Sequence, residues 1–247
     1  MPELPDIIVY VECLESRISG TTLKNLRLNN PFLLRTAMPP IASAEGRRVT
    51  GVRRMGKRIV ISLESDFHLV IHLMVAGRLQ WLPAGAKPAV KSALAVFEFD
   101  TGSLVFTEAG TKRRASLHFV AGITAVEALH AGGIEVPGLD LEAFARRLRA
   151  ENHTLKRALT ALHIFSGIGN AYSDEILHRA RLSPIALTQK LAALDRRSRL
   201  STRLCPPACG ERKLVPSNSR IQRGIIKVES RQRRIAAQGN ADADLAA

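Results

Sequence analysis

Four short stretches carry residues whose types and spacing could do chemistry. The chain opens Met1-Pro-Glu-Leu-Pro-Asp6, and removal of the initiator Met would leave Pro2 as an N-terminal amine. A typical α-amino group has a pKa of about 7.8 against roughly 10.4 for Lys, so about a tenth of it is neutral at pH 7. Such an amine can attack an electrophilic carbon and form an iminium, a route to covalent catalysis. Glu3, next in sequence, could move protons or stabilise a developing cation. Lys57 follows Gly56 in Met55-Gly-Lys-Arg58 and stands at a strand entry, where a side chain can meet a phosphate. His72-Leu-Met-Val-Ala-Gly-Arg78 reads as a strand running into a turn. In Gly167-Ile-Gly-Asn-Ala-Tyr-Ser-Asp-Glu175, Gly167 and Gly169 allow close backbone approach, and a helix starting at Asn170 offers its N-terminal end to a phosphate. Each stretch alone has a plainer explanation: a stiffened N-terminus, a solvated Lys in a basic turn, core packing by Met74, a helix cap.

The elements that must position these residues follow from hydrophobic period. Ile8, Val11 and Leu14 are spaced to share one face of a helix over residues 5–18. From Thr21 to Phe119 apolar runs of strand length, among them Ile59 to Leu63, Leu69 to Leu73 and Leu94 to Phe99, alternate with turn signals such as Asp100-Thr-Gly102. That stretch predicts a β-sandwich. From about Ala125 the period becomes helical: Leu141, Phe144, Ala145 and Leu148 fall on one stripe, and helices over 154–162 and 171–181 flank the Gly-rich turn. Pro184 stops the last of these. The fold class is therefore α+β, with a catalytic sandwich over 1–122, a helical domain over 123–195 and a basic, irregular tail over 196–247.

The chain of 247 residues has 36 Lys+Arg against 22 Asp+Glu, a formal charge of +14, which points to a polyanionic partner. Up to residue 190 there are 24 basic and 17 acidic residues; beyond it there are 12 and 5. All eleven aromatics lie before residue 173, so the tail has little from which to build a core. No apolar run approaches the roughly 20 residues of a membrane-spanning helix. Three cysteines and an acidic N-terminus argue against a disulfide framework and a signal peptide. A reducing, cytosolic compartment is expected.

In order and spacing the four motifs resemble the formamidopyrimidine-DNA glycosylase and endonuclease VIII family of base-excision repair enzymes, over residues 1 to about 190. The resemblance implies a monomer of bacterial, nucleoid-associated type that acts on damaged double-stranded DNA, removing oxidised bases and nicking the strand by β,δ-elimination through a Schiff base. Pro2, Glu3 and Lys57 would be catalytic, and Lys57 would also hold the backbone beside the lesion. The segment from His72 would enter the gap left by the flipped nucleotide, where an apolar wedge offsets an unstacking cost of a few kcal/mol. Family members often read His-Leu-Gly-Met where this chain has His72-Leu-Met74-Val75, so the wedge is Met74 or Val75. Arg113-Arg114-Ala115 is the nearest match to an Arg-Arg-Phe that faces the orphaned base. Lys156 and the turn of Gly167, Gly169 and Asn170 match a helix-two-turn-helix element that binds phosphates.

The resemblance fails in the tail. Most members finish with a zinc finger of two Cys-x-x-Cys pairs, whereas here only Cys205-Pro-Pro-Ala-Cys209 is present and no His follows His178. Four ligands cannot be assembled from this, so no structural zinc and no cofactor is expected. The change of pattern reads either as a shifted reading frame near residues 190–200 or as divergence into a basic arm. A second function is consistent with a missing finger: a DNA-binding protein of the family fold with weak catalysis or none.

Overall fold

Alternating apolar residues between Leu23 and Ala121 build two four-stranded antiparallel sheets. The computed structural model describes residues 2–86, 93–109, 112–136 and 139–191. The tail over 196–247, with Cys205 and Cys209, lies outside the described residues. Helix α1 (Leu4–Ile18) precedes strands β1 (Leu23–Leu28), β2 (Val49–Met55), β3 (Arg58–Leu63), β4 (Phe67–His72), β5 (Gly77–Pro83), β6 (Ala93–Phe99), β7 (Gly102–Glu108) and β8 (Ser116–Ala121). One sheet has the order β1-β6-β7-β5 and the other β2-β3-β4-β8. Their inner faces share one core, in which Phe97 and Phe106 from the first sheet join Ile59, Ile61, Leu69, Ile71 and Phe119 from the second.

The central strands β3 and β4 of the second sheet are buried on both faces, which is why they read as near-continuous apolar runs. Val60 and Val70 point away from the shared core and pack with Met55, Val120 and Val126. Val126 comes from the short helix α2 (Ile123–Glu127). Residues 123–130 therefore go with the sandwich, and the second compact unit begins at Ala131 instead of near Ala125.

On α1 the buried stripe is Ile7, Leu14 and Ile18, and the expected face through Ile8 is displaced. At 100° per residue, Ile8 lies about a quarter turn from Ile7, whereas Val11 falls near the same line. The helix is started by a capping box between Glu3 and Asp6, with the Glu3 N–H donating to Asp6 Oδ2 at 2.8 Å.

The second unit contains β9 (Ile134–Glu135), α3 (Leu141–Arg149), α4 (Leu155–Thr160), β10 (Phe165–Ser166) and α5 (Asn170–Ala180). Phe144 and Leu148 of α3 meet Leu155 and Leu159 of α4 and Ile176 and Leu177 of α5 in its core. Asp140 caps α3 by accepting from the Ala143 N–H at 2.8 Å. Strands β9 and β10 pair in parallel over two residues each. Among the described residues no helix is long and apolar enough to cross a membrane.

Candidate functional site

Within the first unit, hairpin geometry brings Lys57 to the N-terminus of α1. Met55 pairs with Arg58, leaving Gly56 and Lys57 as a two-residue turn. Gly56 has φ +59° and Lys57 is not in the left-handed region, the pattern of a type II′ turn with Gly at its first position. Pro2 is buried, and Glu3 is only 1% exposed. Burial pushes the Lys57 amine below its ordinary pKa, and the charge of Glu3 works in the opposite direction. A buried carboxylate and a desolvated amine thus interact beside Pro2, the setting in which proton transfer and amine chemistry are tunable.

Strand register assembles a second group next to this one. Arg58 lies opposite His72, His72 lies opposite Ser116, and His118 follows two residues along β8 on the same face. Burial, reinforced by Arg58, Lys57 and His118, lowers the His72 pKa to about 4. Burial and then Arg58 and Arg35 lower that of His118, whose Nδ1 has no hydrogen-bond partner among the described residues. The Arg58 guanidinium is itself half-desolvated and donates to the Leu129 carbonyl. Five cationic or potentially cationic groups, Lys57, Arg58, His72, His118 and Arg35, therefore repel one another across one patch, and an anion placed there would relieve that repulsion. Sequence reading missed Arg58 and His118 because antiparallel pairing, not spacing along the chain, brings them together, and Arg35 because only a parallel bridge from Leu34 to Leu117 carries it to β8.

The turn after His72 separates the two wedge candidates. Met74 sits in the left-handed region at φ +53° and is half-buried, whereas Val75 is 54% exposed at the tip. Met74 occupies the place at which the family pattern has Gly, the residue that tolerates this conformation. Gly77 closes the turn with its N–H on the Leu73 carbonyl at 2.9 Å. A Cβ on Gly77 would stand 2.3 Å from that same oxygen, so no other residue fits.

Arg113 and Arg114 are exposed, on a loop anchored from below by a residue the sequence did not single out. Glu108, 7% exposed, accepts from the Arg114 N–H at 2.9 Å and from the Ala115 N–H at 3.1 Å. A lone Glu at a strand end carries no signal of this role; its charge at an otherwise apolar position is the only hint.

In the second unit, Gly167 (φ +95°) turns the chain between β10 and α5. Gly169 is the N-cap of α5, and Asn170 is exposed in its first turn, which contains no acidic residue. Ser173, fully buried, donates its hydroxyl to the Asn170 carbonyl at 2.7 Å and stiffens that end. Lys156 on α4 donates to both carboxylate oxygens of Asp174 at 2.7 and 2.8 Å. An incoming phosphate would have to compete with this pair for the amine.

An antiparallel sandwich followed by a helix-two-turn-helix element defines a two-unit α+β class of protein. The family model for the formamidopyrimidine-DNA glycosylase N-terminal domain matches residues 1–115, and that for the H2TH domain of the same enzymes matches residues 135–202. A formamidopyrimidine-DNA glycosylase of Solibacter usitatus is 32% identical over 204 residues, covering 77% of this chain and 70% of that protein. One from Roseiflexus is 32% identical over 197 residues, covering 78% of this chain and 72% of that protein. The crystal structure of the Lactococcus lactis enzyme bound non-covalently to DNA containing an AP site superposes with a TM-score of 0.77, covering 99% of this chain and 86% of that one. At 20% identity this likeness speaks for the fold alone. The chain belongs to the formamidopyrimidine-DNA glycosylase family of DNA-binding repair enzymes.

Proposed function

We propose that this chain excises oxidised bases from duplex DNA in the cytoplasm and then nicks the strand, with the Pro2 amine as nucleophile. The observation that carries the reading is the buried Glu3 carboxylate interacting with the desolvated Lys57 beside Pro2. After removal of Met1, the neutral amine adds to C1′ of the damaged nucleotide as the N-glycosidic bond breaks. The base leaves with a proton, and the amine nitrogen becomes the iminium of an opened sugar. Loss of a C2′ proton then expels the 3′ phosphate, and a second elimination expels the 5′ phosphate. Glu3 is the proposed proton carrier for sugar opening, and Lys57 the group that meets the adjacent phosphate. We assign His72 and the Asn170 turn to phosphate binding, Lys156 to the same role once it leaves Asp174, Val75 to the wedge, and Arg113 and Arg114 to the orphaned base. No step is routed through a metal. The only paired cysteines, Cys205 and Cys209, do not supply the four ligands of the family's zinc finger.

That same cysteine pattern favours a second reading, a DNA-binding protein whose catalysis is weak. Borohydride trapping separates the two. The protein is incubated with duplex DNA containing an abasic site, and borohydride is added. A covalent adduct that disappears in Pro2→Gly, and when Met1 is retained, is expected. Salt-sensitive DNA binding with no adduct would overturn the covalent reading in favour of the binding one.

A further inference from the structure

The second unit holds a cluster of donor atoms that the proposed reaction does not use. Glu151, His153 and His163 converge, each offering one ligand atom, and these atoms all lie within 4.8 Å of one another. Oε2 of Glu151 is 2.8 Å from Nε2 of His153 and 3.2 Å from Nε2 of His163. The carboxylate is therefore shared by two imidazoles that arrive from different segments of the chain.

Both segments are held at the backbone. Thr188, fully buried, donates its hydroxyl to the Glu151 carbonyl at 2.7 Å and accepts from the His153 N–H at 3.3 Å. Its own N–H donates to the His153 carbonyl at 2.9 Å. On the other side, the Arg147 guanidinium donates to the carbonyls of His163 and Ile164. The three side chains thus start from backbone positions that are held, and their own torsions are left to adjust.

We propose that Glu151, His153 and His163 form a site for a divalent transition ion, with Zn²⁺ the best match, and with the fourth position left to water. Two imidazoles and one carboxylate are a donor set that borderline first-row ions favour over Mg²⁺ or Ca²⁺, which take oxygen ligands. Ion–donor distances of about 2.1 Å place tetrahedral donors about 3.4 Å apart. The two Glu–His separations are already near that value, and closing the widest pair requires a movement of no more than about 1.5 Å. Glu151 and His153 immediately precede Thr154, the N-cap of α4, and His163 follows its C-terminal end. An ion held here clamps α4, the helix of Lys156, at both ends. The site does not depend on the proposed catalytic function, and a failure of either leaves the other standing.

The test uses the full chain with Cys205→Ser and Cys209→Ser, which removes the competing thiolates of the tail. Equilibrium dialysis against Zn²⁺ should show one ion bound per chain. H163Q, at a position 56% exposed and so harmless to folding, should weaken binding by at least about tenfold, the scale on which even outer-sphere partners act. H153Q with H163Q should abolish it, and at one Zn²⁺ concentration the unfolding midpoint should rise more in the thiolate-free parent than in H163Q, and not at all in the double variant. Absence of bound Zn²⁺ in the thiolate-free chain, or equal affinity after H163Q, would overturn the site and leave a surface ion-pair cluster.

Discussion

His72→Gln tests the cationic patch through its acid stability. Burial, then Arg58, Lys57 and His118, lower the His72 pKa from 6.5 to about 4. The folded protein therefore refuses a proton that the unfolded chain accepts below about pH 6.5, so stability falls as the pH drops through this range. The loss ends near pH 4, where the folded state binds the proton too. At about 1.4 kcal/mol per pKa unit, the cost at about pH 4.5 is about 2.5 kcal/mol. This is an upper figure, because solvent screens part of the repulsion from neighbouring charges. Urea unfolding of the wild type and of H72Q, compared at about pH 7.5 and about pH 4.5, cancels the contribution of shared carboxylates. H72Q should gain about 2–2.5 kcal/mol on the wild type between those two conditions. Parallel pH curves would show that His72 is not held neutral by its neighbours and that the patch carries no such repulsion. A phosphate bound there should reverse the shift, so DNA binding near pH 6 should take up a proton, measurable as a buffer-dependent binding enthalpy.

Met74→Gly removes left-handed strain of roughly 1–2 kcal/mol and adds Gly flexibility worth roughly 0.5–1 kcal/mol in the unfolded chain, so a net gain of up to about 1.5 kcal/mol is expected in denaturant unfolding. Val75→Ala should instead leave stability nearly unchanged and weaken binding to lesion-containing duplex more than to intact duplex; equal loss on both would remove Val75 from the wedge role. Glu108→Ala strands two N–H groups that had a charged acceptor, and should cost about 2–4 kcal/mol of stability, with Glu108→Gln restoring part of it. Opposite-base discrimination should fall in E108A while borohydride trapping at an abasic site persists, since the loop carrying Arg113 and Arg114 loses its anchor.

The sandwich was legible because its strands carry the burial pattern in their own residues: Ile59, Ile61 and Leu63 face one core, and Val60 faces the other side. The extent of the first unit was not, because α2 is only five residues long and its one fully buried side chain, Val126, finds its partners on β2, β3, β4 and β8. Likewise β9 and β10, at two residues each, are too short to show any period. The site divides along the same line. Pro2, Glu3, Lys57 and the Gly-rich turn are contiguous motifs and can be read locally. Arg58 and His118 lie 60 residues apart in sequence, and β4 alone, pairing with both β3 and β8, makes them neighbours. Glu108 and Thr188 act only through backbone groups of loops that no sequence period marks. What sequence supplied was the set of groups able to react; what it withheld was the charge environment that tunes them, and that environment is a property of strand register. A substitution that shifts the pairing of β4 by one residue would therefore leave every motif intact and still turn His72 to the opposite face of the sheet.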